Sequence, residues 1–189
     1  MGFALAERLA SLGANVVLVC GPVQLKTQHP AILRVDVTSA DEMFDACMHY
    51  FGGCNGAIMS AAVADYAPLI ISTEKIKRKQ GNITIELRPN KDIAAALGQI
   101  KKPHQLLVGF ALESQNELEN AKSKLSAKNL DMIVLNSLRE EGAGFGHDTN
   151  KVTILTRNGH QFRFPLKSKQ EVAADIVQCL LETDFSEST

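Results

Sequence analysis

The stretch Ala61-Ala62-Val63-Ala64-Asp65-Tyr66 leaves an apolar run with one carboxylate, and ten residues beyond Asp65 the cations Lys75, Lys77, Arg78 and Lys79 follow Glu74. A carboxylate at a strand end, joined to a basic cluster, suits a phosphorylated ligand held at the edge of an open α/β sheet. Ala61, Ala62 and Ala64 would let backbone amides and carbonyls approach a flat ring and read a base. The alternative is that these alanines only allow close packing and that Asp65 is a turn residue. The cations either neutralise a polyphosphate or form a solvated face. Asn90, Lys91, Asp92 and Ile93 stand at a helix start after Pro89, where unpaired amides favour an anion. Lys124 and Lys128 are four apart on one helix and share a face beside Ala121 and Leu125. They either meet a ligand or snorkel over a core edge.

Other chemistries lack their residues. His29, His49, His104, His147 and His160 show no HExxH spacing, so no metal site is expected. There is no GxSxG elbow and no GxxxxGK(S/T) loop.

With 189 residues, 45% of them hydrophobic, and a formal charge of −1, the chain suits one soluble domain, residues 1–183, followed by a frayed polar tail, 184–189. Local rather than broad basic charge and only 5% aromatics argue against a nucleic-acid partner. Cys20, Cys47, Cys54 and Cys179 form no CxxC pair and suit a reducing cytoplasm. No apolar run approaches a membrane span, and the N-terminus lacks a signal-peptide layout.

The elements that must position these side chains follow from periodicity. Leu5, Leu9 and Leu12 predict a helix from Gly2 to Leu12, stopped by Gly13. Buried strands are expected at Val16–Cys20, Ile32–Val37, Ala57–Ala61, Leu106–Ala111 and Asp131–Asn136. Alternating Ile83, Ile85 and Leu87 predict a further strand, Asn82–Arg88, with one wet face. Capping boxes at Ser39/Glu42, Ser114/Glu117 and Ser168/Glu171 open helices, and another carries Ile93, Leu97 and Ile100. Gly142 to Gly146 reads as a flexible loop, and Asn158-Gly159 as the turn of a hairpin formed by Val152–Leu155 and Phe162–Phe164. The sum is a three-layer, Rossmann-like α/β fold: a mainly parallel sheet, helices on both faces and a C-terminal hairpin.

Several blocks in order resemble the phosphopantothenoylcysteine synthetase domain, the C-terminal half of the bifunctional flavoprotein of coenzyme A biosynthesis. They are Gly2, Gly13-Ala14-Asn15-Val16, Gly21-Pro22, Ala61 to Tyr66, Glu74-Lys75-Ile76-Lys77, Asn90 with Asp92-Ile93, Val108 to Ala111 with Glu113, Lys124, Lys128 to Asp131, and Gly142 to Lys151. The resemblance implies a cytoplasmic CTP-dependent ligase. 4′-Phosphopantothenate would attack the nucleotide α-phosphate to give an acyl-cytidylate and pyrophosphate, and L-cysteine would then displace CMP. It further implies Mg²⁺ on the phosphates, a homodimer, and FMN only if a decarboxylase half is fused upstream. By position, Met59, Ser60, Ala61 and Phe110 would line the cytosine and Asp65 would hold the nucleotide. Lys75, on a flap, would touch the triphosphate and assist turnover as the catalytic residue. Lys91, Asp92, Ile93 and Ala94 would offer helix-start amides, and Lys124 and Lys128 would complete the nucleotide site.

The family has an upstream strand and an asparagine-containing loop before its Met-Gly, whereas this sequence starts at Met1-Gly2. The expectation is an N-terminally incomplete domain, weak or inactive alone. Leu135-Asn136-Ser137 also replaces the more frequent asparagine-aspartate pair. A non-catalytic CTP-binding fragment is the competing reading. A nicotinamide reductase drawing on Asp36 is disfavoured, because neither GxGxxG nor Tyr-x-x-x-Lys occurs.

Overall fold

The computed structural model describes residues 1–72, 74–77, 82–113, 117–137 and 148–183. The chain opens with α1 (Gly2–Ser11), β1 (Val16–Cys20), β2 (Ile32–Asp36), α2 (Ala40–Phe51) and β3 (Gly56–Met59). It continues with β4 (Tyr66–Pro68), β5 (Leu87–Pro89), α3 (Ile93–Ile100), β6 (Leu106–Glu113), α4 (Glu117–Ala127) and β7 (Met132–Ser137). The last elements are β8 (Thr149–Asn150), β9 (Val152–Thr156), β10 (Gln161–Arg163), β11 (Lys167–Ser168) and α5 (Lys169–Glu182). Residues Arg78, Lys79, Ser114, His147, the 142–146 loop and the 184–189 tail lie outside the described residues.

The central sheet has the order β10-β9-β7-β6-β3, parallel from β3 through β6 to β7 and antiparallel beyond, while β1 and β2 pair in parallel apart from it. Strand alternation sorts side chains onto two faces. Leu107, Ala111, Ile133 and Leu135 pack with Phe51 of α2, Leu97 of α3 and Leu125 of α4. Val108, Met132, Val134, Val152 and Ile154 pack with Leu5 of α1 and Val172, Ile176 and Val177 of α5. The result is three layers, with α2, α3 and α4 on one face and α1 and α5 on the other. No helix among the described residues is long and apolar enough to cross a membrane.

The helix ends are set by local chemistry. Gly13, at φ 92°, closes α1 in a Schellman motif through Ala14 N–H to Leu9 O at 3.1 Å and Gly13 N–H to Ala10 O at 3.0 Å. Asn129, at φ 53°, does the same for α4, with Leu130 N–H donating to Leu125 O at 2.9 Å. Ser168 and Glu171 make the full reciprocal box at α5. At α2 only half of the expected box forms: Ser39 Oγ accepts from Glu42 N–H, while the Glu42 carboxylate accepts from the Thr38 amide at 2.6 Å.

Two expectations need correction. The strand expected over 82–88 is limited to β5, which pairs antiparallel with β4; Ile83, Ile85 and Leu87 are all more than half exposed. Their alternation marks no buried face: among the described residues of this β4–β5 arm, all but Ala67 and Arg88 are exposed. The hairpin turn has three residues rather than two: Leu155 pairs with Gln161, and Thr156 N–H donates to His160 O at 3.0 Å. Gly159 alone takes positive φ, 88°, as the left-handed position of a three-residue loop requires.

The sheet also has an interruption. Among the described residues, β1 pairs only with β2 and β3 pairs only with β6, so each has one unpaired edge. All four residues of β3 and Val16 to Val19 of β1 are only half-buried, although parallel strands covered on both faces are normally sealed.

Candidate functional site

A cavity of about 720 Å³ opens at the carboxyl ends of β3, β6 and β7, where doubly wound sheets bind ligands. One wall is the chain leaving β3, Met59 to Asp65, and the second is Asn90 to Ala94 at the start of α3. Gly109 to Leu112 of β6 form the floor, and Lys124 and Lys128 reach in from α4. Met1, Gly2, Asn136, Asn150 and Lys169 complete the rim. At 720 Å³ the space is within the usual range for small-molecule sites.

The small residues leaving β3 are fixed by Asn90. Its backbone N–H donates to Asp65 O and its side-chain Nδ2 to Ala64 O, both at 2.8 Å. Asn90 thus sets where Asp65 projects, a role that the helix-start reading missed. Asp65 itself is exposed at the cavity mouth.

Asp92 is the N-cap of α3 and accepts from Ala95 N–H at 3.0 Å. That helix-start amide is therefore engaged by the protein's own carboxylate. Lys128 Nζ stands 2.8 Å from Asp92 Oδ2, joining the end of α4 to the start of α3. Burial opposes the Asp92 charge, but the Lys128 ammonium and backbone amides prevail and hold its carboxyl below the ordinary aspartate range. Lys91 lies 4.5 Å from the centre of the Phe44 ring and 3.9 Å from Asp45 Oδ1, so α2 steadies this wall. Arg88 pairs with Asp41 on the same helix.

Close backbone approach positions Lys128. A Cβ at Gly98 would lie 2.0 Å from Lys128 O, and Asn129 Nδ2 donates to Gly98 O at 2.7 Å. Only glycine lets α3 approach the end of α4 so closely.

The structure brings Met59, Ser60, Ala61, Asp65, Lys91, Asp92, Ile93, Ala94, Phe110, Lys124 and Lys128 around one cavity. Lys75 is not among the lining residues and stands exposed on the arm. Asn136, Asn150 and Lys169 lie outside the sequence-derived site; the signal for the two asparagines is a polar amide ending or preceding an apolar strand, and Lys169 opens α5. Asp36 is held by Arg34 at 2.7 Å. Among the described residues, no group of three or more His, Cys, Asp or Glu is placed to hold a metal.

A mainly parallel α/β sheet with a polar, cation-bearing cavity at its carboxyl edge defines the class: a doubly wound α/β domain. Within that class, residues 1–183 match the family model described as the DNA/pantothenate metabolism flavoprotein C-terminal domain, and the chain belongs to that family. It is 55% identical over 181 residues to a protein of an unknown prokaryotic organism named cysteine/cysteine sulfinic acid decarboxylase, covering 96% of this chain and 50% of that one. It is 43% identical over 178 residues to the coenzyme A biosynthesis bifunctional protein CoaBC of Bacillus subtilis (strain 168), covering 94% of this chain and 44% of that one. The chain thus spans about half the length of these curated relatives. The solved C-terminal domain of a CoaBC protein superposes with TM-score 0.79 at 37% identity, over 96% of this chain and 82% of that chain. A DNA/pantothenate metabolism flavoprotein from Streptococcus pneumoniae shares the fold with TM-score 0.78 at 20% identity, over 94% of this chain and 85% of that chain.

Proposed function

We propose that this domain is the phosphopantothenate–cysteine ligase part of a coenzyme A biosynthesis protein, using CTP. The observation that carries the reading is the convergence of Met59 to Asp65, Lys91 to Ala94, Phe110, Lys124 and Lys128 on one cavity, in a chain 43% identical to a CoaBC protein. A carboxylate is a poor acyl donor until its oxygen becomes part of a phosphate leaving group. The phosphopantothenate carboxylate oxygen attacks the CTP α-phosphorus, the bond to the β-phosphate oxygen breaks, and pyrophosphate leaves. The cysteine nitrogen then attacks the acyl carbon, CMP departs, and the amine proton is lost.

Each wall has a part in this scheme. The backbone from Met59 to Ala61 and the Phe110 ring take the base, and Asp65, fixed through Asn90, holds the nucleoside. Lys124 and Lys128 place positive charge beside the phosphates, where charge develops in the transition state. Lys75 reaches the triphosphate when the arm folds over the cavity. Mg²⁺ fits as a companion of the phosphates, because such ions need only one or two protein carboxylates and Asp65 is on the wall; when bound, it neutralises phosphate charge. The partner is a second copy, joined through the apolar arm. FMN enters only if a decarboxylase half is fused upstream, an arrangement in keeping with the roughly twofold length of the relatives.

A second reading, nucleotide binding without turnover, is favoured by the unpaired edges of β1 and β3. The chain leaving β3 and the start of α3 would still hold a nucleotide beside this open sheet edge. CMP release from CTP, phosphopantothenate and cysteine tests the ligase; calorimetric CTP binding with no cytidylate formed would favour the second reading.

A further inference from the structure

The end of α4 meets α3 at two levels. Lys128 Nζ reaches Asp92 at the N-cap of α3, while the Lys128 carbonyl packs against Gly98, about 9 Å further along the helix axis. The lysine stem therefore lies along α3. Where its ammonium arrives depends on how the Lys128 backbone is seated at Gly98. That seat is fixed from outside the cavity. Asn129 Nδ2 donates to Gly98 O at 2.7 Å, and Asn129 Oδ1 accepts from Arg157 Nη2. Arg157 Nε donates to Leu130 O at 3.1 Å, and the Arg157 backbone N–H to Asp131 O at 2.8 Å. Thr156, just before Arg157, pairs with Met132 at the start of β7, so Arg157 stands at the amino edge of the sheet, opposite the edge where the cavity opens. Neither Asn129 nor Arg157 lines the cavity.

Among the described residues, Asn129 is the one non-glycine residue at positive φ. Glycine is the usual residue at such a C′ position and would close α4 without a steric penalty. What asparagine adds is its amide, and both the oxygen and the nitrogen of that amide are engaged. We propose that Asn129 and Arg157 are positioning residues for Lys128. The guanidinium orients the Asn129 amide, the amide docks the end of α4 on α3 at Gly98, and the Lys128 ammonium is thereby held at Asp92 beside the nucleotide phosphates. Arginine suits this part because its planar fork bonds Leu130 O and Asn129 Oδ1 together, whereas lysine offers a single point of contact. The inference rests on the nucleotide reading of the cavity and deepens it: two residues that touch no ligand, one of them at the far edge of the sheet, set the affinity for the triphosphate.

The test uses the full-length polypeptide and CTP calorimetry. Asn129→Gly keeps the left-handed turn and removes both side-chain bonds; Arg157→Lys keeps a positive charge near Asp131 and removes the fork. Asn129→Gly should raise the Kd for CTP about fivefold or more, and Arg157→Lys should raise it by a smaller factor. A merely structural role would weaken binding whether or not Lys128 is present. In a Lys128→Met background, Asn129→Gly should instead move the Kd by less than about twofold, because residues that act through one another are not additive. The inference is overturned if Asn129→Gly folds and binds CTP as the wild type does, or if its loss of affinity is undiminished in the Lys128→Met background. Should Asn129→Gly fail to fold, Arg157→Lys with and without Lys128→Met decides in the same way. No CTP binding by the wild-type protein would remove the nucleotide reading and the positioning with it; wild-type binding with both variants unchanged would remove the positioning only.

Discussion

Lys128 at the end of α4 meets Asp92 at the start of α3 at 2.8 Å, and this pair closes one corner of the cavity. Asp92 does two things at once: it caps α3 through Ala95 N–H and holds the Lys128 ammonium beside the site. A ligand phosphate arriving here meets a cation already paired, so binding must draw Lys128 from Asp92 or share it.

The first prediction separates these two roles. Asp92→Asn keeps an N-cap but loses the charge, whereas Asp92→Ala loses both and should cost a further ~1 kcal/mol in urea denaturation. Because the folded carboxyl sits below its ordinary range, its contribution is full above about pH 4 and is lost as pH falls through the folded value. The stability gap between wild type and Asp92→Asn should therefore be present at pH 7 and close in acid. A gap that persists unchanged at low pH refutes the linkage.

Gly98→Ala supplies a second test because propensity and packing predict opposite signs. In an open helix this change stabilises by about 1 kcal/mol. Here the new methyl would stand 2.0 Å from Lys128 O, a backbone atom that cannot rotate away. Overpacking of this kind costs roughly 1–3 kcal/mol, and it should also weaken CTP binding by displacing Lys128. A stabilised variant in urea titration would contradict the close approach.

Legibility in the sequence followed the range of the interactions. Helix α5 could be read from Ser168, Glu171 and the apolar spacing that follows, because capping and periodicity are local. The central strands were legible as short apolar runs for the same reason. The 82–88 alternation misled because period two says that a strand could form, not that another layer covers it; Ile83 is 66% exposed. The cavity residues were named largely through family resemblance, since nothing local places Lys124 opposite Asp65. The Asn90 contacts to Ala64 and Asp65 join positions about 25 residues apart, beyond any spacing rule.

A third prediction concerns the base of the fold. Lys101 Nζ lies 2.7 Å from Asp131 Oδ1, and both side chains are 7% exposed. Asp131 also accepts from Leu107 N–H at 2.7 Å, tying β6 to the start of β7. Asp131→Leu leaves the buried Lys101 ammonium unpaired and should cost about 3–5 kcal/mol, whereas Lys101→Met, which keeps Arg157 Nε 3.6 Å from Asp131 Oδ1, and the variant with both residues made apolar should each cost less. Chemical denaturation of the single and double variants measures this; a double variant weaker than Asp131→Leu would sink the argument.

A fourth prediction follows from the arm. Ile70 and Ile71 are 80% and 81% exposed, and Ile76, Ile83 and Ile85 lie on the same 66–89 segment. Large apolar side chains exposed along one segment suit a self-complementary interface. Ile70→Asp with Ile71→Asp should shift the full-length protein from dimer to monomer in analytical ultracentrifugation. A variant that keeps the wild-type mass places the interface elsewhere.

Lys75 stands on that arm, away from the cavity wall. If it serves turnover, the arm must bring it to the triphosphate, and the benefit must appear in the chemical step rather than in ground-state CTP affinity. Lys75→Gln keeps most of the side-chain length but lacks the charge, and should lower kcat roughly 100-fold, the size of effect seen when one preorganised stabilising group is removed. The KM for CTP should change far less. Because Lys75 is exposed, its replacement should leave the urea midpoint unchanged, so a drop in activity cannot be assigned to unfolding. Turnover that survives Lys75→Gln at the wild-type rate would remove this lysine from the mechanism and leave Lys124 and Lys128 as the cations that act on the phosphates.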